Sequence, residues 1–225
     1  MRHFQPLLSI ADQNPNSFYD NLAHTRWGLD PILHTPQFVR KQSSFLFTSI
    51  MAASALFMPT AAAVSKRLSS HSKLLAQKVL THRNRSPEIV LAFMVNIPWM
   101  APGKHWSDDE TCSYMAAALT IALDISLDKL IVPSPSSSLD GIHEGREPSD
   151  YITARKALDV DGFRDVDPIS DLGKRLLRRR ERIWLALFVL DRGLDSIPSR
   201  LDLAYSYQSV FSSRAKLHGA FDIHH

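Results

Sequence analysis

The chain has a single cysteine in 225 residues, Cys112. One thiol excludes an internal disulfide framework and any zinc site built on several thiolates, and it fits a reducing compartment. Glycine is also scarce, with eight in all. None falls in a Gly-x-Gly-x-x-Gly run, a phosphate loop ending in Gly-Lys-Ser/Thr, or a Gly-x-Ser-x-Gly elbow, so the common marks of nucleotide binding and serine hydrolysis are missing. The excess of positive charge is small, +3, and gives no footprint of a dedicated nucleic-acid binder. The first residues contain no apolar run long enough for a secretory signal.

One stretch, Ser44 to Val64, carries no charge over a length that would cross a bilayer. Pro59 interrupts it, and Ser, Thr and Ala fill much of it, so the expectation is a buried helix over Phe45 to Met58 rather than a span. What the chain does contain is 44% apolar and 22% charged residues, the composition of a soluble globular domain of ordinary size.

Beyond residue 64 the apolar positions recur at helical spacing. Leu68, Leu75 and Val79 share one face, with Lys66, Lys73 and Lys78 away from it. Ser86-Pro87-Glu88 is a helix start: a capping hydroxyl, a proline at the position where its missing N–H costs nothing, and a carboxylate at the positive end of the dipole. The helix it opens runs to Pro98-Trp99. Ser107 and Glu110 are spaced as a capping box, and Met115, Leu119, Ala122, Ile125 and Leu130 recur behind them. Cys112, in an apolar helix, is expected to be buried.

Residues 133 to about 170 read as a long acidic surface loop. Between Asp140 and Asp171 nine carboxylates stand against four Lys or Arg, about minus five, whereas Lys174 to Arg182 holds six basic residues and one acid. The two segments are able to offset each other. The basic one opens "RRRERIWLALFVLDRG", where Leu176, Ile183, Leu187 and Leu190 form one helical face flanked by Leu177, Trp184 and Phe188. Arg178, Arg179 and Arg182 are expected to point away from that face, solvated or paired with acids rather than gripping phosphate. Asp191 and Arg192 read as a structural polar pair.

This ordered set resembles the fungal-specific transcription factor domain, the helical middle region of zinc binuclear-cluster regulators. The signature is Arg178, Arg179, Arg180, Ile183, Trp184, Leu187, Phe188, Leu190, Asp191 and Arg192. "SPEIVLAFMVNIPWM" and "DDETCSYMAAALTIALDISLDKL" are similar to upstream helices of that family, so the resemblance covers about residues 44 to 193. It implies an all-α, multi-helix regulatory domain of a nuclear transcription factor acting on RNA polymerase II. Such a domain senses a small-molecule effector or a partner such as a co-regulator or a second copy. In the family, DNA is read by a cluster of six cysteines holding two zinc ions; one thiol cannot build it, so zinc and DNA are expected only through a segment not present here, and no cofactor within the chain. The Gly-Arg-Pro turn that usually follows Asp-Arg is replaced by "GLDSIPSR", so the domain is expected to be incomplete at its C-terminus.

The resulting division is an N-terminal segment 1–43, poorly ordered or partly helical, the helical domain 44–193, and an atypical tail 194–225. An enzyme is not expected: His143-Glu144 begins like a zinc-protease helix but lacks the second histidine, and no nucleophile has an identifiable base. The competing class is a helical interaction or dimerisation module. Trp99, Trp106 and Trp184 are assigned to core packing.

Overall fold

The computed structural model describes residues 28–56, 61–99, 109–133 and 150–195. They form seven α-helices and two short strands: α1 Pro36–Gln42, α2 Ser44–Ala55, α3 Ala62–Thr81, α4 Pro87–Trp99, α5 Thr111–Asp124, β1 Leu130–Val132, β2 Tyr151–Thr153, α6 Ala154–Val160 and α7 Asp171–Asp195. The all-α, multi-helix architecture is therefore observed. Among the described residues, no helix is long and apolar enough to cross a membrane.

Local chemistry sets the helix starts. Thr35, Ser43 and Thr153 each accept a hydrogen bond from a first-turn N–H, opening α1, α2 and α6, and Pro36 stands in the first turn of α1. Ser86 does the same for α4 through Ile89 N–H at 3.3 Å, and Ser170 for α7 through Gly173 N–H at 3.0 Å. Each hydroxyl satisfies a donor that the helix itself leaves unpaired.

Three helix ends share one device. After α3, α5 and α6 the residue beyond the cap turns left-handed, at Arg83, Ser126 and Gly162. The following N–H then reaches back to the carbonyls of Val79, Ala122 and Leu158. This is the Schellman arrangement, which satisfies orphan carbonyls and turns the chain sharply. In α6 the cap residue itself is Asp161, so the turn fixes where that carboxylate sits.

The core forms around α4, whose residues Pro87 through Val95 are all buried. A helix apolar on every side belongs at the centre, and α2, α5 and α7 pack around it. Phe45 of α2 meets Phe93 of α4 edge-on at 5.0 Å, and Phe93 meets Tyr114 of α5 at 5.2 Å, the offset geometry that ring quadrupoles favour. Between α2, α3 and α4 lies a small polar knot. Asn96 donates to Ser49 Oγ at 2.6 Å, and Ser72 Oγ donates to Asn96 Oδ1 at 3.0 Å.

Several sequence expectations are corrected here. The helix expected over Phe45 to Met58 ends at Ala55. The stretch from 133 to 170 is not all loop: β2 pairs in parallel with β1, Ile131 opposite Ile152, and runs directly into α6. These elements were missed because three residues and seven residues are too short to show a period. Leu130 continues no helix and lies exposed on β1. α5 begins at Thr111, after the proposed capping box, whose Ser107 lies outside the described residues. Cys112 is exposed, because the inward face of α5 is set by Tyr114, Met115, Ala118, Ile121 and Ala122. The core also starts before residue 44, with Leu29, Leu33 and Val39 buried. The 194–225 tail has only its first two residues within the described range, as the end of α7. Trp106 and His143-Glu144 lie outside that range altogether.

Candidate functional site

The feature that stands out chemically is buried charge. Arg179 and Arg180 are the two largest fully buried side chains of the described residues. Arginine is almost never buried without partners, and both partners are carboxylates brought by other elements. Arg179 Nη1 donates to Glu88 of α4, and its Nη2 donates to Asp161 Oδ2 at 2.6 Å. Arg180 Nη1 donates to the other Asp161 oxygen, and its Nη2 to the carbonyls of Ile125 at 2.5 Å and Ser126 at 2.9 Å. Asp161 thus bridges two guanidiniums, and Arg180 also covers the negative C-terminal end of α5.

The quartet of Glu88, Asp161, Arg179 and Arg180 is balanced in formal charge and sealed from water. The side chains of Asp161 and Arg179 have no exposure at all. Burial pushes the Asp161 carboxyl up, although Arg179 and Arg180 pull it down, and burial likewise lowers Arg180 against the pull of Asp161. Desolvation outweighs attraction on both sides of that pair. The Nε atoms of Arg179 and Arg180 are buried without a hydrogen-bond partner, as expected for forks whose outer nitrogens do all the pairing. Phe163 closes the site, its ring centre 5.5 Å from the Arg179 guanidinium. Arg155 holds the turn carrying Phe163 by donating to the Phe163 and Val166 carbonyls, both at 2.8 Å.

A second, half-exposed cluster lies beside it. Asp30 Oδ2 accepts from Arg182 at 2.9 Å and lies 3.9 Å from Arg175. Burial works to raise its carboxyl, but the Arg182 hydrogen bond, the Ile32 N–H and the two cations hold it below the usual range. His34 Nδ1 accepts from the Asp30 N–H at 2.8 Å, which places the ring proton on Nε2. Burial and the nearby Arg179 charge push the His34 pKa down to about 3, so the imidazole is neutral at any ordinary pH.

The sequence-derived residues therefore divide. The offset between the acidic segment and the basic turn is real, carried by Asp161. The expected outward orientation of Arg179 is wrong: together with Arg180 it lies inside, because positions 179 and 180 stand one turn from Ile183 and Leu176 on the buried face. Arg178 and Arg182 are exposed, Arg182 reaching Asp30. Trp99 and Trp184 are half-buried against the main core. Asp191 is half-buried, and Arg192 lies with its guanidinium 5.4 Å from the Phe188 ring centre, one turn back along α7. Glu88, Asp161, Asp30 and His34 were not singled out as partners. The Asp161-Gly162 stop signal was the available clue to one of them.

A shallow cleft of about 400 Å³ opens between α3 and α5, lined by Val79, Leu80, Arg83, Ala116, Ala117 and Thr120. Among the described residues no cluster of three or more His, Cys, Asp or Glu is arranged to hold a metal. Compared with known proteins, the chain matches no family model, no curated protein and no solved structure.

Proposed function

We propose that this chain is a regulatory domain of a nuclear transcription factor of the fungal zinc-cluster kind. It senses an effector or partner and performs no catalysis, and DNA is read by a zinc-holding segment other than these residues. The observation carrying this reading is the role of the arginine signature. Arg179 and Arg180 tie α7 to α4, α5 and α6 through Glu88, Asp161 and the Ile125 and Ser126 carbonyls. A motif whose two central arginines, Arg179 and Arg180, serve as internal scaffold supports a helical regulatory module more than a phosphate-gripping one, since recognition needs side chains free to reach phosphates or bases.

The test is a fusion of the full chain to a heterologous DNA-binding module upstream of a reporter in yeast. Reporter output is expected to differ from that of the module alone, and the difference to vanish with Asp161→Ala. A folded fusion that leaves output unchanged would remove the regulatory reading. In parallel, the unfused chain is expected to show no salt-dependent retardation of duplex DNA.

A second reading, an interaction module without an effector, is favoured by the exposed Leu185, Phe188 and Val189 on α7. A melting temperature that rises with protein concentration, yet never with any metabolite in a screen, would select it.

A further inference from the structure

α7 has two faces. One is the buried face already described, made by Leu176, Arg179, Arg180, Ile183, Leu187 and Leu190. On the opposite side, positions 181, 185, 188 and 192 follow one another at intervals of four, three and four residues, the spacing of a coiled-coil seam. All four are exposed. Leu185 is 64% and Phe188 52% exposed, with Val189 beside them at 59%. Single exposed apolar residues need no explanation, but three large ones contiguous on one helix face do.

The ends of the seam are charged, and they are opposite in sign. Glu181 stands at the N-terminal end and Arg192 at the C-terminal end, with the apolar residues between. Glu181 makes no ion pair among the described residues. Turned antiparallel about a point midway between Ala186 and Leu187, this pattern is its own complement. Position 181 then falls opposite 192 of a second helix, and 185 opposite 188. Each end layer joins a carboxylate to a guanidinium, and each middle layer joins apolar side chains. A parallel pairing would instead set Glu181 against Glu181 and Arg192 against Arg192, which like-charge repulsion disfavours.

We infer that the outward face of α7 is the contact through which two copies of this chain associate, as a twofold antiparallel helix pair with Glu181 of each against Arg192 of the other. A twofold contact of this kind is self-complementary and closes at two subunits. The seam spans about three turns, roughly 16 Å, so the interface is small and association is expected to be weak and concentration-dependent. The inference does not depend on the regulatory reading. A non-regulatory protein would dimerise through the same face.

Sedimentation velocity of the full chain, from low into high micromolar concentration, tests it. A monomer–dimer equilibrium is expected. Leu185→Asp is expected to leave only monomer, with circular dichroism checking that the helices remain. Glu181→Arg and Arg192→Glu are each expected to weaken association by at least about tenfold, because each turns both end layers into like charges. Mixing these two variants then decides the register. One carries two arginines and the other two glutamates, so a mixed dimer regains both ion pairs and is expected to form where neither variant associates alone. A wild-type chain that stays monomeric overturns the inference. So does association that survives Leu185→Asp, or a mixture that fails to restore it.

Discussion

Replacing Asp161 by alanine is the sharpest perturbation of the buried network. The wild-type carboxylate receives Arg179 Nη2 at 2.6 Å and one fork nitrogen of Arg180, with no exposure to water. Its loss leaves Glu88 as the sole carboxylate for two buried guanidiniums. Arg180 retains the Ile125 and Ser126 carbonyls, which are partial charges and do not neutralise it. Breaking a buried pair from one side costs about 3–5 kcal/mol, a large share of the roughly 5–15 kcal/mol that holds a domain together. At about 2–4 °C per kcal/mol for a chain of this size, the melting temperature should fall on the order of 10 °C. Urea titration read by tryptophan fluorescence and far-UV circular dichroism measures it, provided the slope is unchanged. A loss under about 1 kcal/mol, the value of an exposed ion pair, would refute the argument that the site is sealed. Replacing all four members by apolar residues of similar volume should cost far less than the single change. Burial already works against both Asp161 and Arg180, and only the two α5 carbonyls would be left without their donor.

Three further outcomes are expected. His34 has its pKa held near 3 against an ordinary 6.5, so between those values the unfolded chain binds a proton that the folded one refuses. The His34 contribution should fall by about 1.4 kcal/mol per unit as pH drops below about 6.5, and His34→Gln should remove that contribution, flattening or reversing the slope in urea titrations; Asp161, raised by burial, works in the opposite direction above its ordinary 3.8, and Asp30, held low, adds its own loss only below that value. Gly173→Ala should destabilise by about 1–3 kcal/mol despite alanine's helix preference, because the added Cβ would lie 2.1 Å from the Asp167 carbonyl oxygen; a melting temperature at or above wild type would contradict it. Asn96→Ala removes the group joining Ser49 and Ser72 and should cost about 1–3 kcal/mol by thermal melting, whereas a neutral result would mean that water replaces the amide.

Much of the framework was legible from local chemistry. The Ser86-Pro87-Glu88 start, the apolar α4 and the Ile183, Leu187 and Leu190 stripe of α7 all carry their signals within a few residues. In the sequence Glu88 carries only a helix-dipole signal, since nothing near it announces Arg179, 91 positions later. Arg179 reads as outward-facing because a charged residue is by default a surface residue. Its position, four before Ile183, already placed it on the inward side, and only a buried carboxylate makes that position tolerable. The α6 helix was hidden by its length, although Ala154, Ala157 and Leu158 repeat at helical spacing.

Pairing at that distance explains why α7 sits in one register. Leucine, isoleucine and phenylalanine along a helix face fill a groove almost equally well after a slide of one turn, so apolar burial alone discriminates poorly between registers. A slide of one turn moves every side chain by about 5.4 Å. Arg179 would then lose both Glu88 and Asp161, and Arg180 would lose the end of α5, leaving several buried charges unpaired at once. The network adds little to the depth of the native well and much to the height of its nearest competitor. The outward seam depends on this, because Glu181, Leu185, Phe188 and Arg192 form a continuous face only while the inner side of the same helix is held in place.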